Sequence, residues 1–378
     1  MNGKESKKES DIYIINYDIL SKHPWLVEQD WDIVICDEVH YAKNPKAART
    51  KACLAIFKKA KRKIAMTGTP IMNRPVELQT ILAALGCDFA QNWFAYVTRY
   101  CAGKCTKWGW DVSGASNLDE LQMKLRSTVM IRRLKKDVLT ELPEKTRQIV
   151  EIPQNGFSAV LKNEDKIMKS YQEKKKELAA LKKQAKEQKD EASFTAKIDA
   201  LKASMQIAFS EIAIIRHETA LAKVEFTIDY VNDMLESENK IILFCHHQDV
   251  LDAIYQAFSD IAVKFTGSMS AEDKQKSVDR FQNDPDCKIF IGSTMAAGVG
   301  ITLTAARLVI FHELALTPGA MSQAEDRAHR IGQKGNVLVQ HLVINGSIDS
   351  TLAKMLKSKQ EIIEKALDKS SENEEIEL

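Results

Sequence analysis

The chain has 378 residues, 44% of them hydrophobic, with 54 Lys and Arg against 52 Asp and Glu and a formal charge of +2. That length predicts two domains plus an extension, and the near-balance of charge neither demands nor excludes a nucleic-acid partner, because local clustering decides that. No apolar run approaches the roughly 20 residues that span a bilayer, and residues 1–11 are polar and charged, without the apolar stretch of a secretory signal. The seven cysteines are scattered and odd in number, as in a reducing, intracellular setting; Cys101 and Cys105 lack a second ligand pair at zinc-like spacing and read as ordinary thiols.

In chain order, residues 11–16 (DIYIIN), 33–36 (IVIC) and 63–66 (KIAM) are short, β-branched runs that predict buried parallel strands. Residues 44–60 between the last two predict a helix, with Pro45 near its start. A second series follows, with strands at 240–244, 263–265, 288–291, 308–311 and 338–343, helices at 248–259 and 271–282, and a closing helix at 347–366. Strands alternating with helices predict two α/β lobes with parallel sheets. Between the lobes, residues 159–235 are rich in Lys, Glu, Ala, Leu and Gln and hold no Pro or Gly. The i,i+4 Glu/Lys pairs and the thin apolar stripe predict a solvated helical hairpin; its Lys clusters could touch DNA phosphates, though interleaved acids dilute the field. The predicted organisation is a first lobe over 1–155, a helical protrusion over 156–235, a second lobe over 236–368 and an acidic tail over 369–378 that frays.

Four segments carry candidate chemistry. Asp37 and Glu38 (DEVH) close the strand 33–36, at the end where parallel sheets bind ligands. In nucleotide hydrolases the first such carboxylate holds Mg²⁺ and the second orients the attacking water. Thr67-Gly68-Thr69-Pro70 follows the next strand; small hydroxyl residues there bond the carboxylate loop, or simply form a turn. Residues 292–301 (GSTMAAGVGI) follow the strand 288–291, and Gly298 and Gly300 allow close backbone approach to a phosphate of either DNA or a nucleotide. In QAEDRAHRIGQ, residues 323–333, Arg327 and Arg330 are three apart on a predicted helix, with Gln323 one turn earlier. One face would then present two guanidinium groups to transferring phosphate oxygens; the plain alternative is a surface helix laced by Glu325 and Asp326.

DEVH, TGTP, STMAAGVGI and QAEDRAHRIGQ, in that order, resemble motifs two, three, five and six of superfamily-two helicases, and QAEDRAHRIGQ is similar to the Swi/Snf-related form of motif six. NYDIL at 16–20 and MIRRLKKDVLTELPEKTRQIVEIP at 130–153 agree. RYCAGKCTKWGWDVSGASNLDEL at 99–121 and RHETALAKV at 216–224 are similar to the HepA-related annealing-helicase branch. The resemblance runs over 11–367. It implies two RecA-like lobes and an ATP- and Mg²⁺-dependent motor that tracks on duplex or forked DNA, with an intracellular, DNA-associated location. By motif position, Asp37 would hold Mg²⁺ through water and Glu38 would activate water. Thr67 and Thr69 would couple the site to DNA, Arg327 and Arg330 would complete it across the cleft, and Gln323, Gly298 and Gly300 would support the nucleotide. Ser293, Thr294 and Thr302 would lie near DNA phosphates, and residues around Arg132, Arg133 and Lys135 would brace the lobes.

The sequence departs from the family in one respect. No Gly, four residues, then Gly-Lys-Ser/Thr occurs; the nearest run, Gly109 to Gly114, continues with Ala115-Ser116. The expectation is an N-terminally truncated motor whose incomplete first lobe exposes sheet edges and apolar surface. On that reading the chain alone does not turn over ATP. It is a fragment, one half of a split motor completed by a separate polypeptide that supplies the P-loop, or a remnant that binds DNA or a partner without hydrolysis.

Overall fold

The computed structural model describes residues 10–106, 109–187, 191–297 and 300–368. The predicted tail over 369–378 and Gly298 lie outside the described residues. The chain divides into two compact units. The first takes the residues up to Leu134, with Thr317–Gly319 and the chain from Leu356 on; the second takes Lys135–Leu316 and Ala320–Met355.

In the first unit a short helix α1 (Trp25–Glu28) leads into β1 (Trp31–Cys36), α2 (Ala48–Lys59) and β2 (Ala60–Ala65). β1 and β2 pair in parallel, with Ile33 opposite Arg62, Ile35 opposite Ile64 and Cys36 opposite Ala65. The crossover between them is α2, which buries Cys53, Ile56 and Phe57 at i, i+3 and i+4 against Leu20, Leu26, Cys36 and Val39. This is the βαβ unit the sequence predicts. Residues 11–16, predicted as a strand, form none. Tyr13 instead sets its ring edge-on to Trp25, at 5.2 Å, and Trp31, at 5.6 Å, and Ile12 and Ile14 stay exposed. That aromatic contact competes with strand pairing and wins. The unit continues with α3 (Val76–Leu85), α4 (Asp88–Gln91), α5 (Trp93–Tyr100), a small hairpin of β3 (Lys104–Thr106) and β4 (Gly109–Asp111), and α6 (Leu118–Thr128). Tyr96, Tyr100, Leu121 and Leu125 form a second core there with Ile363, Ala366 and Leu367.

The second unit opens with α7 (Lys135–Val138) and β5 (Lys145–Ile152), followed by α8 (Ser158–Glu187), α9 (Glu191–Ala222) and α10 (Val224–Leu235). Then come β6 (Ile241–Cys245), α11 (Gln248–Ala257), β7 (Ala262–Phe265), α12 (Ala271–Asn283), β8 (Ile289–Ser293), α13 (Thr294–Ala297), β9 (Leu308–Phe311), α14 (Pro318–Glu325), β10 (Val337–Ile344) and α15 (Ile348–Leu367). Pro318 and Gly319 of α14 count with the first unit, as do the residues of α15 from Leu356 on. Six strands form one parallel sheet in the order β5-β10-β9-β6-β8-β7. The strands predicted in this half and the helices predicted at 248–259, 271–282 and 347–366 are present, within a few residues of their predicted ends. β5 is the addition: it lies in the segment that the sequence assigns to the first lobe, yet it pairs with β10 over its whole length. Its largely polar and exposed KTRQIVEI run fits an edge strand.

α8 and α9 are long, about 45 Å each at 1.5 Å per residue, as the composition of that segment predicts. Ile198, Ala208 and Ile215 of α9 are buried. The last turns of α9 are wired into the sheet. Thr219 bonds the buried Glu164 of α8, and Arg216 donates to the carbonyl of Leu314. The fully buried Lys223 donates to the carbonyls of His312 (2.7 Å) and Leu342 (3.1 Å) and to Asp349 (2.5 Å).

Candidate functional site

In the first unit the backbone of β1 ends at Cys36, and the next two residues are the carboxylates. Asp37 is exposed and Glu38 half-buried. Glu38 has φ 46° and ψ 48°, a left-handed conformation that costs a residue with a Cβ about 1–2 kcal/mol. The neighbourhood holds it there. The N–H of Glu38 donates to Asp37 Oδ1 at 3.0 Å, the N–H of Val39 donates to the carbonyl of Met66 at 3.0 Å, and the Tyr17 hydroxyl donates to the carbonyl of Asp37 at 2.8 Å. Burial, with Cys36 beside it, pushes the Tyr17 hydroxyl's pKa up, so it stays a donor.

The structure brings Glu38 and Thr67 together. Thr67 Oγ1 lies 3.3 Å from Glu38 Oε2 and accepts from the N–H of Thr69 at 3.1 Å. His40, buried, places Nδ1 2.9 Å from Thr67 Oγ1 and 3.1 Å from Glu38 Oε2. The four residues form one connected chain, from the carboxylate turn to the TGTP loop. Sequence reasoning places Asp37, Glu38, Thr67 and Thr69 here and misses His40, whose signal was its position at the end of DEVH. The donors suit a hard cation: Asp37 offers oxygen, and among the described residues no cluster of three or more metal-capable side chains forms a closed cage. Mg²⁺ bound to a nucleotide is held in this way, by one or two carboxylates, waters and phosphate oxygens.

In the second unit, β8 leads into the predicted glycine-rich loop. A Cβ at Gly292 would sit 2.8 Å from the Phe290 ring, so the strand passes there only without a side chain. Ser293 and Thr302 are half-buried, and Gly300 has φ 41°. Thr294 is buried, and its hydroxyl donates to the carbonyl of Cys245 at 3.1 Å, which ties the start of α13 to β6.

One correction concerns the predicted helical placement of Arg327 and Arg330. α14 ends at Glu325, so the two arginines sit on a tight turn beyond the helix. The turn closes with Arg327 N–H to Ala324 C=O at 3.2 Å and Arg330 N–H to Ala328 C=O at 3.1 Å. Glu325, the last residue of the helix, points inward: its carboxylate, 1% exposed, takes Arg147 in a fork of 2.6 and 2.8 Å and Lys145 at 2.9 Å. Asp326 takes Lys135 and Lys145, both at 3.0 Å. Burial pushes Glu325 and Asp326 up, but Lys145 with its cationic neighbours prevails and holds both below the usual carboxylate range. The turn is bound to the glycine-rich loop, with Leu303 N–H donating to Arg327 C=O at 2.9 Å and Arg330 Nη1 to Ile301 C=O at 3.3 Å. The Gln333 amide bonds the carbonyls of Ala306 (2.8 Å) and Ala328 (3.1 Å). Gln323 lies half-buried on α14. Sequence reasoning misses the roles of Glu325, Asp326 and Gln333, because Lys135, Lys145 and Arg147 lie far away in sequence. Arg132, predicted as a brace, pairs with Asp368 at 2.5 Å within the first unit.

Comparison with known proteins gives the family of the chain. The family model of the SNF2-related domain matches residues 1–208, and that of the helicase conserved C-terminal domain matches 222–332. The chain belongs to the SNF2-related family. A Xenopus tropicalis protein named as a SWI/SNF-related, matrix-associated, actin-dependent regulator of chromatin, subfamily A-like, is 36% identical over 370 residues, 97% of this chain and 36% of the relative. A human protein named as a DNA annealing helicase and endonuclease is 37% identical over 345 residues, 89% of this chain and 30% of the relative. The chain therefore spans about a third of the length of these relatives. Among solved structures, a Sulfolobus solfataricus SWI2/SNF2 ATPase core in complex with dsDNA covers 94% of this chain, at 22% identity and a TM-score of 0.40. No helix among the described residues is long and apolar enough to cross a membrane.

Proposed function

We propose that the chain is the part of a DNA-dependent ATPase motor that carries the hydrolytic carboxylates and the arginines, and that it works on duplex or forked DNA. The observation that carries this reading is the connected set Glu38, His40, Thr67 and Thr69 at the end of β1. Bound Mg²⁺·ATP supplies the phosphoryl group and the charge that polarises it. Asp37 would hold the metal, and Glu38 would orient the attacking water and take its proton. Thr67 and Thr69 pass the state of Glu38 to the TGTP loop and so to DNA. Arg327 and Arg330 supply guanidinium charge to the transferring phosphoryl group, and their setting on a turn clamped by Gln333 fixes them without a helix. Gln323 and Gly300 support the nucleotide, while Ser293 and Thr302 line the DNA phosphates. The working location is on DNA.

These 378 residues contain no Gly-Lys-Ser/Thr phosphate loop, so turnover requires one from outside them. The test joins a family P-loop segment to the chain, in cis or as an added polypeptide, and measures DNA-stimulated ATP hydrolysis. The joined protein hydrolyses ATP, and Glu38→Gln lowers the rate about 100-fold or more; hydrolysis that ignores Glu38→Gln refutes the role of Glu38. The same lack of a P-loop favours a second reading for the chain by itself, as a module that binds DNA without turnover. Binding to duplex or forked DNA that weakens steeply between 50 and 200 mM salt supports it, and no detectable binding at 50 mM salt removes it.

A further inference from the structure

The loop between TGTP and α3 is fastened at its far end by a second contact, which the carboxylate–threonine relay does not use. The N-cap of α3, Pro75, gives no side-chain cap, and the half-buried amides of the loop ahead of it need acceptors of their own. Glu77, in the first turn, supplies one. Its Oε2 accepts from the N–H of Met72 at 2.8 Å and of Asn73 at 3.0 Å, and its Oε1 lies 3.0 Å from Lys43 Nζ. One carboxylate thus serves three donors from two separate segments, which its lone pairs allow. Lys43 directly follows the helical turn Val39–Ala42 and stands five residues after Glu38. The two side chains are 32% and 14% exposed, so water screens the pair less than a surface pair. Ile71, between Thr69 and Met72, is 1% exposed and packs with Leu78 and Leu82 of α3.

We propose that Lys43 and Glu77 are a positioning pair that clamps the TGTP loop to the carboxylate turn and keeps Thr67 and Thr69 in register with Glu38. The segments 37–43 and 67–77 are then cross-linked twice, by Glu38 and His40 with Thr67 at one end and by Lys43 with Glu77 at the other. A helix-start carboxylate serving only its own loop would need Met72 and Asn73, but not Lys43. The ion pair makes Glu77 a link between the two motifs. The kinetic consequence rests on the ATPase reading above; the mechanical one does not.

Hydrogen exchange on the 378-residue chain tests the clamp without hydrolysis. Lys43→Met, which leaves every bond of Glu77 to the loop intact, speeds amide exchange about three- to tenfold both in 37–43 and in 66–74. Glu77→Gln loosens the same two segments. Lys43→Arg, which keeps the charge, exchanges like the wild type. Faster exchange confined to 37–43 in Lys43→Met overturns the clamp. Should Lys43→Met melt the unit as a whole, Lys43→Arg decides, because loosening of 66–74 despite the retained charge overturns it too. In the P-loop-completed protein, Lys43→Met lowers the DNA-stimulated kcat about tenfold with the KM for ATP within about twofold, whereas a raised KM at unchanged kcat refutes the positioning role. If the completed wild-type protein fails to hydrolyse ATP, the ATPase reading falls and the exchange result still judges the clamp.

Discussion

In the first unit Ile33, Ile35 and Ile64 stand 49%, 57% and 44% exposed on one face of the β1–β2 pair, whereas every residue of β6 in the second unit is buried. The runs are alike in sequence: IVIC and IILFC are both short, β-branched and apolar. The difference is in what lies against them. β6 has strands on both sides and helices packed on the sheet, while β1, among the described residues, has one partner and helix α2 on one face. A run of this kind thus specifies a strand, and its neighbours decide whether the strand is buried. The contrast extends to chemistry. The small, open sheet carries the carboxylates, and the large, closed one carries a dense set of internal polar contacts.

Breaking the second unit gives the largest expected change. Lys223→Met removes the ammonium that satisfies two carbonyls and leaves Asp349 buried without its partner, at a cost of about 3–5 kcal/mol to that unit. Denaturant-dependent hydrogen exchange would read this in β6, β9 and β10 while β1 and β2 stay unchanged. A loss below about 1 kcal/mol would mean that α9 is not anchored by this contact.

Acid sharpens the comparison next. Burial holds His312 and His341 neutral, with pKa values lowered to about 4. The unfolded chain binds their protons near pH 6.5 and the folded one only near 4. Their contribution is therefore intact above pH 6.5 and is lost as pH falls toward 4, by up to about 1.4 kcal/mol per pH unit for each histidine. His341→Gln removes about one proton from the uptake on unfolding across that window. A pH slope unchanged by the substitution would contradict the assignment.

The smallest effect belongs to the open face. Ile35→Ser changes the stability of the first unit by less than about 0.5 kcal/mol, as at other surface positions. A loss above about 2 kcal/mol would show that the face is covered in solution.

The strand pattern of the second unit was legible because buried parallel strands leave contiguous apolar runs, as at 241–245 and 308–311. β5 was not, since a largely polar edge strand looks like a linker until β10 pairs with it. Residues 11–16 misled because Tyr13 finds Trp25 and Trp31 rather than a neighbouring strand. At the site, DEVH and TGTP were legible as motifs, and the contact between Glu38 and Thr67 follows from the parallel pairing of β1 with β2. The helical placement of Arg327 and Arg330 failed because the helix ends at Glu325, and the pairing of Glu325 with Lys145 and Arg147 was not legible because those partners lie far away in sequence.

The most direct test of the account compares wild type with Glu38→Gln twice, by DNA-stimulated ATP hydrolysis of the chain alone and of the chain completed with a P-loop segment. The account predicts no difference between them for the chain alone and a loss of about 100-fold or more in the completed protein. A clear Glu38-dependent rate from the chain alone, or none from the completed protein, would contradict it.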